Sequence, residues 1–128
     1  MNRVESEIEA LATAVIGAAI EVHRQLGPGF AESTYHQALR VELELRKIEF
    51  KSEVPVSLVY KDVAIGDGRI DLLVGDSLVV ELKAARAEPR KFNRQVVSYL
   101  KATGLMLGLV INFEHGVLRD GIARVIHT

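Results

Sequence analysis

Apolar residues in the first third of the chain recur at the spacing of a helix, which predicts two amphipathic helices. The first covers about 4–26 and ends at Gly27, a residue that readily adopts the conformation following a helix, and Pro28 prevents continuation. The second covers about 31–47. Its apolar positions, which predict burial against the first helix or a sheet, are Tyr35, Ala38, Leu39, Leu43 and Leu45.

From Glu53 onward the apolar residues alternate with polar ones, which is typical of strands. A strand over 53–60 contains Pro55, and because proline cannot donate a hydrogen bond to a sheet, we expect this segment at an edge or at a strand start. The sequence then predicts a turn at 61–62, a second strand from 63, and a bend or bulge at 66–68 that leads into a hairpin over 69–83.

The rest of the chain predicts one more helix and two more strands. They are a helix over about 90–103, a nearly continuous apolar strand over 105–112 and a last strand over about 121–127. The order is helix, helix, three strands, helix, two strands. This order predicts one α/β domain over residues 1–128 with a mixed central sheet flanked by helices, and not a doubly wound repeat.

The register of the hairpin follows from its hydrophobic residues. A two-residue turn would pair Ile70 with Glu81 and mix apolar with charged side chains on one face. A three-residue loop over 75–77 makes one face wholly aliphatic instead, and its pairs are Val74 with Leu78, Leu72 with Val80 and Ile70 with Leu82. The other face then carries Asp71 directly opposite Glu81, with Lys83 on the same side as Glu81 because strand side chains alternate.

Two facing carboxylates on neighbouring strands repel each other unless a cation lies between them, since such side chains are only about 5 Å apart. Asp71 and Glu81 therefore predict a divalent-metal site with the ammonium of Lys83 beside it. Mg²⁺ and Mn²⁺ prefer oxygen ligands and promote phosphodiester hydrolysis, and a lysine can orient water or stabilise developing negative charge. The alternative is a structural hairpin in which Lys83 only pairs with Glu81.

Two helices contribute further candidates. Glu32 shares one helix face with Tyr35 and His36 and could point into a cleft, although a carboxylate in the first turn also suits the positive helix terminus. Gln95 and Tyr99 lie four residues apart on one face of the third helix. The polar positions that can converge are Glu32, Asp71, Glu81, Lys83 and Gln95.

Composition limits the classes of protein and site. The chain has 128 residues, of which 48% are hydrophobic and 26% charged, as expected of one folded domain. It has no cysteine, which excludes disulfides, thiolate zinc sites and a cysteine nucleophile. The start lacks a basic segment, and no apolar run approaches the roughly 20 residues of a membrane span. We therefore expect a cytoplasmic protein without a membrane partner.

Positive charge is concentrated directly after the hairpin. The formal net charge is −1, but the stretch 83–101 carries six bases against the single acid Glu88. Such a stretch predicts contact with a polyanion, and its alternative is a solvated helix face. The residues that we expect to bind nucleic acid are Arg86, Arg90, Lys91 and Arg94.

Three motifs resemble one group of proteins. Asp71 followed by Glu81-Leu82-Lys83 resembles the signature of the PD-(D/E)xK nuclease superfamily, although Ile70 stands where the name has proline. Gln95-Val-Val-Ser-Tyr99 resembles the Gln-x-x-x-Tyr motif of its RecB and Cas4-like branch. Gly29-Phe-Ala-Glu32-Ser-Thr-Tyr35 is similar to the motif that names the GxxExxY family of this superfamily. The resemblance implies a restriction-endonuclease-like core.

The resemblance also implies roles for individual residues. Asp71, Glu81 and the backbone carbonyl of Leu82 would bind Mg²⁺ or Mn²⁺, with Glu32 as a further candidate ligand. Lys83 would serve the attacking water, and Gln95 with Tyr99 would orient substrate or catalytic groups. The histidine ligand of the RecB and Cas4-like branch has two candidate counterparts, His23 and His36, and the position of His23 in the last turn of its helix favours capping or packing.

The predicted function is thus a metal-dependent nuclease acting on DNA. The alternative is a non-catalytic module on the same fold that binds nucleic acid or protein, because fold does not establish activity. The small size leaves room for a homo-oligomer or a protein partner. Glycoside hydrolysis by two carboxylates is disfavoured by Lys83 and by the absence of tryptophan.

Overall fold

A computed structural model describes residues 2–128 and confirms the predicted order of elements. The helices and strands are α1 (Arg3–Leu26), α2 (Glu32–Leu45), β1 (Phe50–Tyr60), β2 (Val63–Val74), β3 (Leu78–Lys83), α3 (Asn93–Thr103), β4 (Leu107–Asn112) and β5 (Ile122–Ile126). Short 3-10 turns precede α3 and β5 (Pro89–Phe92 and Leu118–Gly121). Within the described residues, none of the helices is both long and apolar enough to cross a membrane.

The five strands form one mixed sheet in the order β1-β2-β3-β4-β5. The pair β3 and β4 is parallel and the other pairs are antiparallel. A parallel pair needs a crossover connection, and α3 supplies it. β1 lies at the edge, as Pro55 predicts, and every residue of β4 is buried, as its continuous apolar run predicts.

Two hydrophobic clusters cover the two faces of the sheet. The first joins α1 and α2 to Leu72, Val80 and Leu82, and the second joins α3 to Val79 and Val110. The alternation along β3 therefore sends Leu78, Val80 and Leu82 toward α1 and α2, and it sends Val79 and Glu81 toward α3. The catalytic candidates of β3 thus lie on the α3 face.

Ile70 departs from the predicted pattern. We expected it on the aliphatic face with Leu72, but it packs in the cluster of α3, so this prediction is wrong. The pairing of β1 with β2 skips Glu53 and Asp71, and Glu53 has a positive φ of 56°. This local break in the ladder explains why Ile70 lies on the opposite face from Leu72.

The element boundaries differ from the prediction at a few ends. β1 begins three residues before the predicted start, and β4 begins at Leu107 instead of at 105. The register of β1 against β2 shifts between Leu58 and Val59, beside Gly66, which confirms an irregularity close to the predicted bend. The 3-10 turn over 118–121 was not predicted.

Gly108 marks the closest approach of α3 to the sheet. A Cβ atom at this position would clash with Cγ1 of Val96 and would lie 3.3 Å from the backbone oxygen of Val79. We expect Gly108→Ala to lower the free energy of unfolding by about 1–3 kcal/mol, as overpacked cores do. Urea denaturation measures this loss. Gly116→Ala is the matched control because its Cβ would meet nothing within 4 Å, and equal stability of the two variants would contradict the packing.

Candidate metal centre

The site lies where β2 and β3 separate. Their hydrogen-bonded ladder runs from the pair Val74–Leu78 to the pair Leu72–Val80, which confirms the predicted three-residue loop. Beyond this ladder the Leu82 N–H donates its hydrogen bond to the side chain of Asp71 and not to a backbone carbonyl of β2. The distance from Leu82 N to Asp71 Oδ2 is 2.8 Å. The predicted register placed Asp71 directly opposite Glu81. This prediction is wrong, because the ladder ends at the pair Leu72–Val80 and the two strands separate before Asp71 and Glu81.

Glu81 is a buried carboxylate with an unsatisfied oxygen. The residue is 3% exposed, and its Oε1 atom has no hydrogen-bond partner among the described residues. Burial, and to a smaller extent the charge of Asp71, raise the pKa of Glu81 to about 7, and Lys83 opposes both effects. An unpaired buried carboxylate lowers the stability of a fold. The Glu81 carboxylate is therefore expected to bind either a proton or a cation.

Lys83 is held beside Glu81 at the end of β3. Its Nζ atom lies 3.3 Å from Glu81 Oε2 and 4.9 Å from the ring centroid of Phe92, and its side chain is 19% exposed. The Lys83 carbonyl accepts a hydrogen bond from the Phe113 N–H at 2.9 Å. The ion pair fits the alternative of a structural salt bridge, but a salt bridge leaves the second oxygen of Glu81 and the charge of Asp71 unexplained.

Glu32 is exposed and lies within the influence of the charges of this group. The residue as a whole is exposed, but desolvation of its carboxyl group raises the pKa of Glu32; Asp71 raises it as well, and Lys83 and His36 lower it. The structure therefore brings Glu32 near Asp71 and Lys83. We predicted that Glu32 and Tyr35 share one face of α2, but their environments differ. Tyr35 is fully buried and Glu32 is exposed.

The two candidate histidines have partners of their own. His36 Nε2 lies 2.9 Å from Oγ of Ser52. His23 Nε2 hydrogen-bonds the carbonyl oxygen of His115 at 2.7 Å. Neither of these contacts involves Asp71 or Glu81.

Gln95 and Tyr99 contact each other on α3. Gln95 Nε2 donates to the Tyr99 hydroxyl at 3.2 Å, and Tyr99 is nearly buried above Gly68. Within residues 2–128, no side-chain hydrogen bond joins this pair to Asp71 or Glu81. Their role at the site remains a prediction.

The basic stretch after β3 is exposed. Its four candidate residues all face solvent, and none of them forms an ion pair with another residue in the range 2–128. They are Arg86, Arg90, Lys91 and Arg94. Unpaired cations on one segment are available to a polyanion.

Asn112 holds the loop that follows Lys83, and our sequence reasoning missed it. Its amide nitrogen donates to the carbonyls of Ala85 and Ala87 at 2.8 Å each, and its Oδ1 accepts from the Ala85 N–H at 3.1 Å. Asn112 is fully buried. A lone amide at the end of an otherwise apolar strand was the available signal, because buried polar groups are almost always hydrogen-bonded.

The donors at this site suit a hard cation with few protein ligands. The N–H and C=O of one strand residue point to the same edge, so the Leu82 carbonyl lies on the side where its N–H meets Asp71. Two carboxylates and one carbonyl are oxygen ligands that fit Mg²⁺ or Mn²⁺, which usually keep several waters. The described residues contain no group of three or more His, Cys, Asp or Glu side chains arranged to hold a metal ion.

Glu81 makes the stability of the metal-free protein depend on pH. Its pKa is about 7 in the folded chain against an ordinary value of 4.5, so between these values the folded state holds a proton that the unfolded chain has lost. This contribution to stability is present at low pH and is lost as the pH rises from 4.5 through 7. Because a tenfold change in proton affinity is roughly 1.4 kcal/mol, the loss is about 3 kcal/mol.

Urea unfolding in EDTA at a pH near 5 and a pH near 8 checks this dependence. We expect Glu81→Gln to be more stable than the wild type at the higher pH and equally stable at the lower one, since only the wild type acquires the buried charge. The comparison between the two proteins cancels the titration of all other groups. The same stability difference at both pH values would contradict a raised pKa of Glu81.

Comparison with known proteins identifies the family. The sequence model described as the PD-(D/E)XK nuclease superfamily matches residues 9–125, a range that includes every candidate residue of the site. A search of curated proteins and a search of solved structures gave no match. Nucleases of this superfamily generally use divalent metal ions and act on nucleic acid. The chain belongs to the PD-(D/E)XK nuclease superfamily.

Proposed function

We propose that the protein is a divalent-metal-dependent nuclease that hydrolyses phosphodiester bonds of DNA. Asp71, Glu81 and the Leu82 carbonyl would hold Mg²⁺ or Mn²⁺. The observation that carries the proposal is the buried Glu81, whose Oε1 has no partner although Asp71 and Lys83 are close by. A divalent cation at this point would offset the repulsion between the two carboxylates.

We assign a role to each neighbouring side chain. The ion, when bound, neutralises charge on the phosphate and lowers the pKa of a water molecule. The Lys83 ammonium lies 3.3 Å from Glu81 Oε2, where it can orient the attacking water and stabilise developing negative charge. Glu32, on the open side, would accept a hydrogen bond from that water or serve as a further ligand. The Tyr99 hydroxyl fixes the Gln95 amide, and this pair would orient the substrate.

The exposed basic residues would bind the phosphate backbone of the DNA. The residues proposed for this contact are Arg86, Arg90, Lys91 and Arg94. Phosphate contacts of this kind weaken steeply with salt. Membership in the GxxExxY and RecB or Cas4-like branch, a cytoplasmic location, and a homo-oligomer or protein partner also belong to the proposal.

One observation favours a second candidate function, a non-catalytic module that binds nucleic acid or protein. Within residues 2–128, no group of three or more His, Cys, Asp or Glu side chains is arranged to hold a metal ion. Such a module would use the same basic surface without cutting the strand.

Cleavage of labelled nucleic acid distinguishes the two candidates. Single-stranded DNA, double-stranded DNA and RNA of one sequence are incubated with the purified protein in Mg²⁺, in Mn²⁺ and in EDTA. We expect DNA to be cut with either metal and to stay intact in EDTA. Glu81→Gln, purified in the same way, controls for contaminating nucleases. DNA binding without cleavage in either metal would establish the second candidate.

A further inference from the structure

Phe30 exposes an aromatic ring in the connection that leads to Glu32. The residue is 47% exposed, and it precedes Glu32 by two positions in the connection between α1 and α2. Phe30 and Tyr60 are the exposed aromatic residues among residues 2–128. An exposed ring can contact a ligand without any rearrangement of the core.

The exposed ring stands on a fixed support. The Phe30 N–H donates to the hydroxyl of Tyr35 at 3.2 Å, and this hydroxyl donates to the Gly27 carbonyl at 2.5 Å. The rings of Phe30 and Tyr35 lie edge to face, with centroids 6.1 Å apart. Tyr35 is fully buried and stacks on Phe113 at 4.5 Å. These contacts hold the backbone and the ring of Phe30 in place.

The same support connects Phe30 to the site. Phe113, which stacks on Tyr35, donates its N–H to the Lys83 carbonyl at 2.9 Å. Glu32, close to Phe30 in sequence, lies within the influence of the charges of Asp71 and Lys83. Phe30 is therefore connected through Tyr35 and Phe113 to the backbone of Lys83, the residue that would meet a phosphate group.

We propose that Phe30 is a stacking platform for an unpaired nucleobase next to the scissile phosphate, so that the site prefers single-stranded or locally unwound nucleic acid. The inference rests on the proposed function in taking nucleic acid as the substrate. Bases within a duplex are stacked on one another, whereas an unpaired base can stack on an aromatic side chain. The unpaired cations that follow β3 attract the phosphates of the same strand, which favours a nucleic acid over a protein as the occupant.

Binding measurements test the platform without any cleavage. The full chain carrying Asp71→Asn is titrated in EDTA with a single-stranded oligonucleotide containing 2-aminopurine and with its duplex. We add Phe30→Leu, which keeps an apolar side chain, or Phe30→Tyr, which keeps the aromatic face. Tyr60→Leu is the control for an exposed aromatic residue at the end of the β1–β2 hairpin.

We expect Phe30→Leu to weaken single-strand binding about tenfold, or roughly 1.4 kcal/mol, which is within the range measured for stacking of one base. Phe30→Tyr and Tyr60→Leu should leave this affinity unchanged, and duplex binding should be the same in all variants. Quenching of the 2-aminopurine fluorescence should be lost in Phe30→Leu alone. Equal urea midpoints will show that the variants are folded.

Three results would overturn the platform. The first is equal single-strand binding by Phe30→Leu and Phe30→Tyr, and the second is an equal loss of single-strand and duplex binding in Phe30→Leu. The third is the absence of any nucleic-acid binding, in which case the exposed ring would serve a protein partner. The nuclease proposal fails by a different result. If the wild type cleaves no nucleic acid in Mg²⁺ or Mn²⁺ but an unpaired base still stacks on Phe30, only the nuclease proposal is overturned. Conversely, equal cleavage of single-stranded DNA by the wild type and Phe30→Leu would overturn only the platform.

Discussion

Replacement of Lys83 by methionine should slow DNA cleavage about a hundredfold to a thousandfold, the usual loss when one preorganised electrostatic group is removed from an active site. The ammonium lies 3.3 Å from Glu81 Oε2 and opposes the rise in the pKa of Glu81. Methionine keeps the length of the side chain and its contact with Phe92 while it removes the charge. The rate of cleavage at saturating Mg²⁺ measures the loss.

Lys51 supplies the matched control for Lys83. It also pairs with a carboxylate, Asp76, at 3.0 Å, but both side chains are largely exposed at the other end of the hairpin. Such surface pairs contribute little, so Lys51→Met should cut DNA at the rate of the wild type. If Lys83→Met also keeps the wild-type rate, Lys83 has only a structural role and the salt-bridge alternative is correct.

Asp71→Asn should lower the affinity for Mn²⁺ by more than about a hundredfold, since loss of a group that only supports a metal ligand already costs 10–100-fold. Asparagine keeps an oxygen that can accept the Leu82 N–H, so the end of β3 should retain its geometry. The negative charge is lost, and with it one of the two charges that would hold the cation. Titration calorimetry with Mn²⁺ measures the affinity, and the cleavage assay should show a parallel loss.

A second measurement separates this effect from a loss of folding. The charge of Asp71 raises the pKa of Glu81, so Asp71→Asn should lower that pKa and stabilise the metal-free protein near pH 7. Asp76→Asn, at the exposed turn, should change neither the Mn²⁺ affinity nor the pH dependence. Tight Mn²⁺ binding by Asp71→Asn would show that the ion binds elsewhere.

The sequence was sufficient to predict the hairpin because strand side chains alternate with a period of two. A shift of one residue would have placed Glu81 against the aliphatic face, so the hydrophobic pattern determined the pairs Val74–Leu78 and Leu72–Val80. Proline chemistry likewise predicted that Pro55 lies in an edge strand or at a strand start, and β1 is an edge strand. Both inferences depend on local rules that tertiary contacts did not override.

Other features of the site depend on distant contacts and could not be predicted in this way. The parting of β2 from β3 arises because the Asp71 carboxylate, and not a backbone carbonyl, accepts the Leu82 N–H. The position of Ile70 depends on the irregular backbone at Glu53. The burial of Glu81 requires α3 and its cluster to cover that face of the sheet. None of these is encoded in a spacing along the chain.

The central claim is that Asp71, Glu81 and the Leu82 carbonyl hold a divalent cation. Anomalous diffraction from crystals soaked in Mn²⁺ tests it most directly. The account predicts a Mn²⁺ peak at about 2.0–2.6 Å from an oxygen of each of these three residues, the range found for hard cations. A peak at another place, or no peak at a Mn²⁺ concentration that supports cleavage, would contradict the account.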